Sequence, residues 1–488
     1  MTKMVNKKES AVKSHHREEE SPLTLFNIDD YSINDPAAGY RNGSSLNNAG
    51  ENGNYWSSTP NESNSNNAYN LNFNSDNHNV NWNNRNNGQS VRPVSELTSE
   101  SSHKVRHFSI SKEQLLLDLY RAYKDARKNK RSRAYQLKFE FNLEENLVNL
   151  RDELISGIYK PLPSNCFIIH DPKMREVFAA NFRDRIVHHL FYNYTHEIFE
   201  KTFIYDTYSC IKNRGTHFGI GRLKHHILSV SKGYSKPCYI LKIDIKGYFM
   251  NINRSILLKL CRNTLSKCRK QLQDYIFVDY LLETIINTNP IENCNVLGKV
   301  EDWDNLPNEK SLLAANRNCG LPIGNLSSQL FSNVYMNVFD QYVKRQLKCR
   351  HYGRYVDDAY IVSNDRNLLK KIISEIVNFL NSELGLRINI NKTRIYDAYH
   401  GIEFLGAYIK PFRTYISSSS LKRIKRKVNK CDIRNRKRLQ SSVNSFLGVF
   451  SHYNSYCMRR VLFGNNDKLN HNGYINNDFL IFSLRRDM

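Results

Sequence analysis

From residue 109 onward, apolar side chains recur with the periods of regular structure and divide the chain into elements. Residues 112–123, Lys-Glu-Gln-Leu-Leu-Leu-Asp-Leu-Tyr-Arg-Ala-Tyr, read as an amphipathic helix with Ser111 as its N-cap. A second helix is expected over 143–156, before Lys160-Pro161. Residues 172–177 alternate as a strand does, and 181–189 open a helix whose charges, Arg183, Asp184 and Arg185, precede an apolar face. Five of the six residues from Cys238 to Ile243 are apolar, as in a buried central strand, and the run ends at Asp244. In residues 351–362, His-Tyr-Gly-Arg-Tyr-Val-Asp-Asp-Ala-Tyr-Ile-Val, two β-branched and aromatic runs flank an acidic pair. That pattern predicts a hairpin with Asp357 and Asp358 at or near its turn. Further apolar-faced helices are expected within 327–340, 366–384 and 445–453, whereas 288–318, rich in Asn and acidic residues, reads as a surface loop.

The N-terminal part departs from this regime. Residues 1–29 read as a mobile polar tail, and 19 of the 54 residues in 41–94 are Asn. So few aliphatic residues offset little ordering entropy, so the segment alone is expected to be disordered, an Asn-rich linker in the plainest reading.

Charge sharpens the division. The formal net charge is +24, yet residues 1–94 hold 8 Lys and Arg against 10 Asp and Glu, leaving 63 against 37 in the remainder. Such an excess suits nucleic acid, whose counterions Lys and Arg displace. No apolar run approaches a membrane span and no signal peptide is visible, so membrane binding is not expected. The ten cysteines form no Cys-x-x-Cys pair, which suggests a reduced, cytoplasmic thiol set.

Adjacent carboxylates repel unless a cation is shared between them, and a hard divalent ion with oxygen ligands is the usual occupant. Asp-Asp alone is ordinarily a polar turn. A third carboxylate, Asp244, at the end of a separate buried strand changes the reading. Two-metal chemistry needs carboxylates from separate elements, converging on ions roughly 3.5–4 Å apart.

Together, Asp244 and Tyr355-Val356-Asp357-Asp358 resemble the palm of reverse transcriptases, in which Tyr-x-Asp-Asp is the second metal-binding motif. The resemblance extends over about residues 110–460. It implies an α/β right-hand polymerase with fingers, a palm of antiparallel strands backed by helices, and a small helical thumb. Asp244, Asp357 and Asp358, with the backbone carbonyl of Ile245, would hold two Mg²⁺ ions, Mn²⁺ being the alternative. In the fingers, Lys173 and Arg175 match the positions that contact the incoming nucleotide. Arg183 and Arg185 are equally well explained by salt bridges to Asp184. Residues 208–217, with Arg214-Gly215, resemble a fingers motif before the palm, although an Arg-Gly surface turn is common. Phe249, five residues after Asp244, matches an aromatic gate against the 2′-OH, where a lone aromatic would otherwise be core. Lys392, in Asn389-Ile390-Asn391-Lys392, matches a lysine near the nucleotide phosphates; a general acid and a plain surface charge are its other readings. Residues 404–408 resemble the primer-grip hairpin. Lys422, Arg423, Lys425, Arg426 and Lys427 suit a basic thumb helix on the template–primer backbone, or a generic basic tail.

Two features resemble one branch, the diversity-generating retroelements. Gly320-Leu321-Pro322-Ile323-Gly324-Asn325-Leu326-Ser327-Ser328-Gln329 ends in Ser-Gln after an aliphatic-Gly pair, where intron and retron enzymes have Gln-Gly and Ser-Pro. Gly324 and Gln329 are accordingly expected at the nucleotide, with helix capping as the plain alternative. Upstream, Gly39-Tyr40-Arg41-Asn42-Gly43-Ser44-Ser45-Leu46, Gly53-Asn54-Tyr55-Trp56-Ser57-Ser58 and Gly88-Gln89-Ser90-Val91-Arg92-Pro93-Val94 resemble the end of the lectin-like or formylglycine-enzyme-like domains that such elements diversify. Asn codons are rich in adenine, the base miscopied there, so residues 30–94 would be translated template repeat.

The expected organisation is therefore a tail (1–29), the Asn-rich segment (30–94), helices and fingers (95–240), palm (241–410) and a basic helical thumb with C-terminal tail (411–488). The expected partners are template RNA, a DNA primer, dNTPs and a small basic accessory protein. The rivals are a retron-like or phage-defence reverse transcriptase without mutagenic role, and a non-catalytic RNA-binding protein on the same fold.

Overall fold

The structure, a computed structural model, describes residues 40–42, 45–47, 53–60, 66–73, 78–84, 88–89, 107–128, 133–171, 173–431 and 434–485. The tail expected over 1–29 lies outside them. The chain divides into two compact units, Met1–Lys104 and Val105–Met488.

In the first unit the described residues of the Asn-rich segment lie almost all in short strands. Strands Gly53–Pro60, Asn67–Phe73 and His78–Asn84 form an antiparallel sheet, and Tyr40–Asn42 pairs with Ser45–Asn47 and Gly88–Gln89. The reason is visible in the register. Tyr69 pairs with Trp82, Leu71 with Val80 and Phe73 with His78, alternating with the Asn70–Asn81 and Asn72–Asn79 pairs. Asn70, Asn72, Asn79, Asn81 and Asn83 occupy alternate positions, and a period of two favours strands whatever the bulk composition.

In the second unit, four antiparallel strands form the palm sheet in the order Tyr352–Tyr355, Asp358–Ser363, Tyr239–Ile243, Arg394–Asp397. Ile240, Leu241 and Ile243 are fully or almost fully buried, as the apolar run of the central strand demands. Helices Phe182–Glu200, Arg254–Lys267, Tyr275–Asn287, Leu326–Gln341 and Arg366–Leu384 contribute to one core with the sheet. The expected caps are present: the Ser111 hydroxyl accepts from the Gln114 amide at 3.1 Å, opening helix Lys112–Arg127. Gly385, at φ 61°, closes helix Arg366–Leu384.

The fingers sheet is larger than the sequence indicates. Strand Arg175–Ala179 pairs with Ser164–Ile169, which also takes Cys294–Val296 as a parallel neighbour. Residues 288–318 are therefore a docked insertion rather than a free surface loop. Buried Glu176 fixes them, accepting from Trp303 Nε1 (2.8 Å), Ser311 Oγ (2.9 Å) and the Leu312 amide.

Strands Ile402–Phe404, Ala407–Lys410 and Arg413–Ile416 lead from the palm into a separate C-terminal core. There, helices Ser418–Asn429 and Arg436–Ser451 pack through Ile424, Val428, Leu439, Val443, Leu447 and Phe450. The small hairpin Gly473–Ile475 with Phe482–Leu484 completes it. The thumb is thus mostly, not wholly, helical.

Candidate active site

Ala359 is paired with Ile243 across the two central strands, so continuing the register brings Asp358 opposite Asp244. The hairpin turn is the two residues Val356-Asp357, because Tyr355 pairs with Asp358. Burial, then repulsion from Asp358, pushes the Asp357 carboxyl up to about 6. Asp358 is also raised, by burial and Asp244, with Lys242, Lys173 and Lys392 opposing. Three carboxylates from two elements therefore share one electrostatic environment.

Among the described residues these side chains form no ready three-ligand metal cage. Lysines stand on two of them instead: Lys392 Nζ lies 3.3 Å from Asp244 Oδ2, and Lys242 Nζ 3.9 Å from Asp358 Oδ1. The donors nevertheless fit hard divalent cations, being carboxylate oxygens of which Asp357 and Asp358 stay raised by burial despite the neighbouring cations. Next to Asp244, the Lys246 amide donates to Arg387 O and the Asn389 amide to Asp244 O. Neither bond uses the Ile245 carbonyl.

The turn is held from beneath by a group the sequence reading assigned no role. Val356 sits at φ 56°, a region β-branched residues rarely occupy. Its carbonyl accepts from Arg354 at 2.8 Å and its amide donates to Ser209 Oγ at 3.3 Å. Arg354 is fully buried and clasps Asp340 of helix Leu326–Gln341 through two bonds of 2.8 and 2.7 Å; Tyr352 adds a third to that carboxylate at 2.6 Å. The signal was present in the sequence, a charged residue in a strand position paired with Ala359, but its partner was not.

The remaining expected site residues separate into three groups. Lys173 and Arg175 are exposed on the fingers and lie near enough to stabilise the charged forms of Asp358 and Asp357, respectively. Arg183 instead pairs with Glu153 and Arg185 donates to Ala180 O at 2.8 Å, so both are spent inside the fingers. Arg214 is likewise engaged in its own loop, donating to Thr207 O at 2.9 Å and lying over the Tyr205 ring. Gly324, at φ 129°, meets the fingers strand: a Cβ there would lie 3.0 Å from Val177 and 3.1 Å from Phe178 O. That approach accounts for a glycine without invoking the nucleotide. Gln329 is exposed on the first turn of its helix, and Phe249 is half-buried against Tyr248.

The basic thumb residues lie on helix Ser418–Asn429, with Ile424 and Val428 inward and Lys422, Lys425, Arg426 and Lys427 exposed. Arg423 is half-buried, and Lys427 forms an ion pair with Asp171 of the fingers.

Residues 170–409 match the family model described as reverse transcriptase (RNA-dependent DNA polymerase). Residues 28–94 match a second, described as a domain of unknown function (DUF8237). The chain is 27% identical over 291 residues to Protein YkfC of Escherichia coli K12, covering 53% of this chain and 69% of that protein. It is 25% identical over 172 residues to the Retron Ec83 reverse transcriptase of Escherichia coli, covering 35% and 46%. Among solved structures, apo telomerase from Candida tropicalis aligns with a TM-score of 0.40 at 15% identity, over 62% of this chain and 56% of that one. The chain thus spans under half of the retron enzyme and little more than half of the telomerase. No helix among the described residues is long and apolar enough to cross a membrane.

Proposed function

We propose that this protein, whose residues 170–409 match the reverse transcriptase (RNA-dependent DNA polymerase) family model, copies a template-repeat RNA into adenine-mutagenised cDNA for diversification of a target gene. In this reading Asp244, Asp357, Asp358 and the Ile245 carbonyl would hold two Mg²⁺ ions, which would supply activation of the primer 3′-OH and charge stabilisation for the leaving pyrophosphate. This chain's own contribution is placement. The central strand presents Asp244, the Arg354–Asp340 clasp presents Asp357 and Asp358, and Lys173 and Arg175 bring positive charge from the fingers. Lys392, now on Asp244, is within reach of a bound triphosphate. Phe249 would exclude ribonucleotides, and the exposed lysines and arginines of Ser418–Asn429 would follow the template–primer backbone. A structured template RNA and a small basic accessory protein complete the assembly, in the cytoplasm.

The observation that carries the mutagenic role is the Ile323-Gly324 to Ser328-Gln329 motif, joined by the alternating Asn of residues 67–84. Asn at every second position of paired strands suits a template whose variable codons fall on one face of a strand. The second reading, a retron-like polymerase without mutagenic role, is favoured by the similarity to the Retron Ec83 enzyme.

Sequencing of cDNA made on a defined RNA separates the two. Errors confined to template adenines are expected. Equal accuracy at all four bases would favour the retron-like reading.

A further inference from the structure

At the end of the palm sheet away from Asp244, three loops bring aromatic and basic side chains to one surface. Asp244 follows the last residue of strand Tyr239–Ile243, whereas Tyr239 pairs with Asp397 at the other end, roughly 17 Å away at about 3.3 Å per residue. There the Tyr234 ring lies 5.0 Å from Phe412 and 5.9 Å from Tyr399. The Tyr399 hydroxyl donates to the Tyr234 carbonyl, tying two of the loops together. Phe412 is 78% exposed and Tyr399 42%.

The backbone of this surface is unusual. Lys410 pairs with Arg413, so Pro411-Phe412 is a two-residue turn, and Phe412 has φ 61°. Pro followed by a left-handed residue is a type II arrangement, in which glycine or asparagine is favoured. Lys232, Gly233 and Tyr234 form a run at φ 49°, 70° and 67°. Bulky residues held left-handed are strained. Folding gains little from an aromatic that is mostly in water, so the Phe412 ring is explained by what stacks on it.

Charge limits the choice of partner. Lys232, Lys236, Lys410 and Arg413 are exposed around the rings and, among the described residues, form no ion pair. The nearby Asp397 is engaged by the Tyr399 amide at 2.9 Å and by His400. Lys410 lies over the Tyr408 ring and Arg413 bonds Tyr415, both contacts that leave the positive charge uncompensated. Exposed aromatic rings among cations with no carboxylate partner are the chemistry that holds single-stranded nucleic acid, bases on the rings and phosphates on the lysines.

We propose that Phe412, Tyr399 and Tyr234, with Lys232, Lys236, Lys410 and Arg413, form a second binding site for unpaired RNA, separate from the polymerase cleft. It would hold a single-stranded stretch of an RNA whose other part is being copied. The proposal needs only that RNA is the partner, and it stands whether or not copying is mutagenic.

The test uses the full chain with its cleft filled by saturating template–primer duplex, and a fluorescent 12-nucleotide unstructured RNA as probe. Wild type is expected to bind the probe in this state. Phe412→Gly relieves the turn, so its melting temperature should hold or rise, while probe affinity falls roughly tenfold, the order of one lost stacking contact. Lys232→Glu with Lys410→Glu should also weaken binding and flatten its salt dependence. Extension of the pre-annealed duplex should be unchanged in all of them. Wild-type affinity in Phe412→Gly, or no binding by wild type once the cleft is filled, would overturn the proposal and leave a protein partner for this surface. Loss of extension without loss of probe binding would contradict the polymerase reading of the cleft, not this one.

Discussion

Val356 and Phe412 stand at the tips of two hairpins on the same unit, both left-handed, at φ 56° and 61°. Beneath Val356 the chain has built a buried support: Arg354 bonds its carbonyl, Ser209 its amide, and Asp340 locks Arg354. Around Phe412 there is no comparable burial, and the ring is open to water on most of its surface. One strained turn is fixed so that two carboxylates keep their place; the other exposes a ring. The two turns share a backbone conformation and differ in the burial beneath it.

The largest effect is expected at the supported turn itself. Asp357→Asn should abolish cDNA synthesis with the fold intact. The same change should raise the melting temperature at pH 8 without added metal. The sign follows from the carboxyl, which is raised to about 6. The native state then binds its proton more tightly than the unfolded chain, so stability falls as pH rises from about 4 through 6, and the loss is complete above that. Asn carries no such charge. Thermal melts across pH 4–8 beside primer-extension gels would check both halves.

Next in size is the clasp. Asp340→Ala leaves a buried guanidinium unpaired, and breaking such a pair costs roughly 3–5 kcal/mol. Denaturant unfolding should show that loss, whereas the paired replacement Arg354→Met with Asp340→Leu should recover most of the stability but not the activity. Recovery of full activity by the pair would mean that the clasp does not position the turn.

A divalent cation should raise the melting temperature of wild type at pH 7.5 by relieving carboxylate repulsion, and do so less in Asp357→Asn. Below pH 5, where Asp357 is protonated, the increment should shrink. The smallest effect belongs to Val356→Gly: stability up by about 1 kcal/mol as strain is removed, with slower extension because the turn is less fixed.

The same contrast explains what could be read from the sequence. Local signals were legible: the Ser111 cap, the apolar run ending at Asp244, and the hairpin with its acidic pair all appear in the structure. Long-range partners were not. Strand Cys294–Val296 lies parallel to Ser164–Ile169, well over a hundred residues away, and no local period announces that pairing. The role of Arg354 depends on Asp340, on a different element. Arg214 and Gly324 stand in their motifs as expected ligand contacts, and the sequence does not announce that Arg214 also bonds Thr207 O or that Gly324 packs on the fingers strand. In residues 67–84 the paired strands carry an alternation of Asn with larger residues beneath the high Asn content.

The central claim is that Asp244, Asp357 and Asp358 perform metal-dependent synthesis of DNA on RNA. Its most direct test is extension of a labelled DNA primer on an RNA template by the wild-type chain, in Mg²⁺ and in EDTA. Product in Mg²⁺ and none in EDTA is the predicted result. Tight binding of the template–primer with no product in Mg²⁺ or Mn²⁺ would contradict it, and would make this protein an RNA-binding module on a polymerase fold.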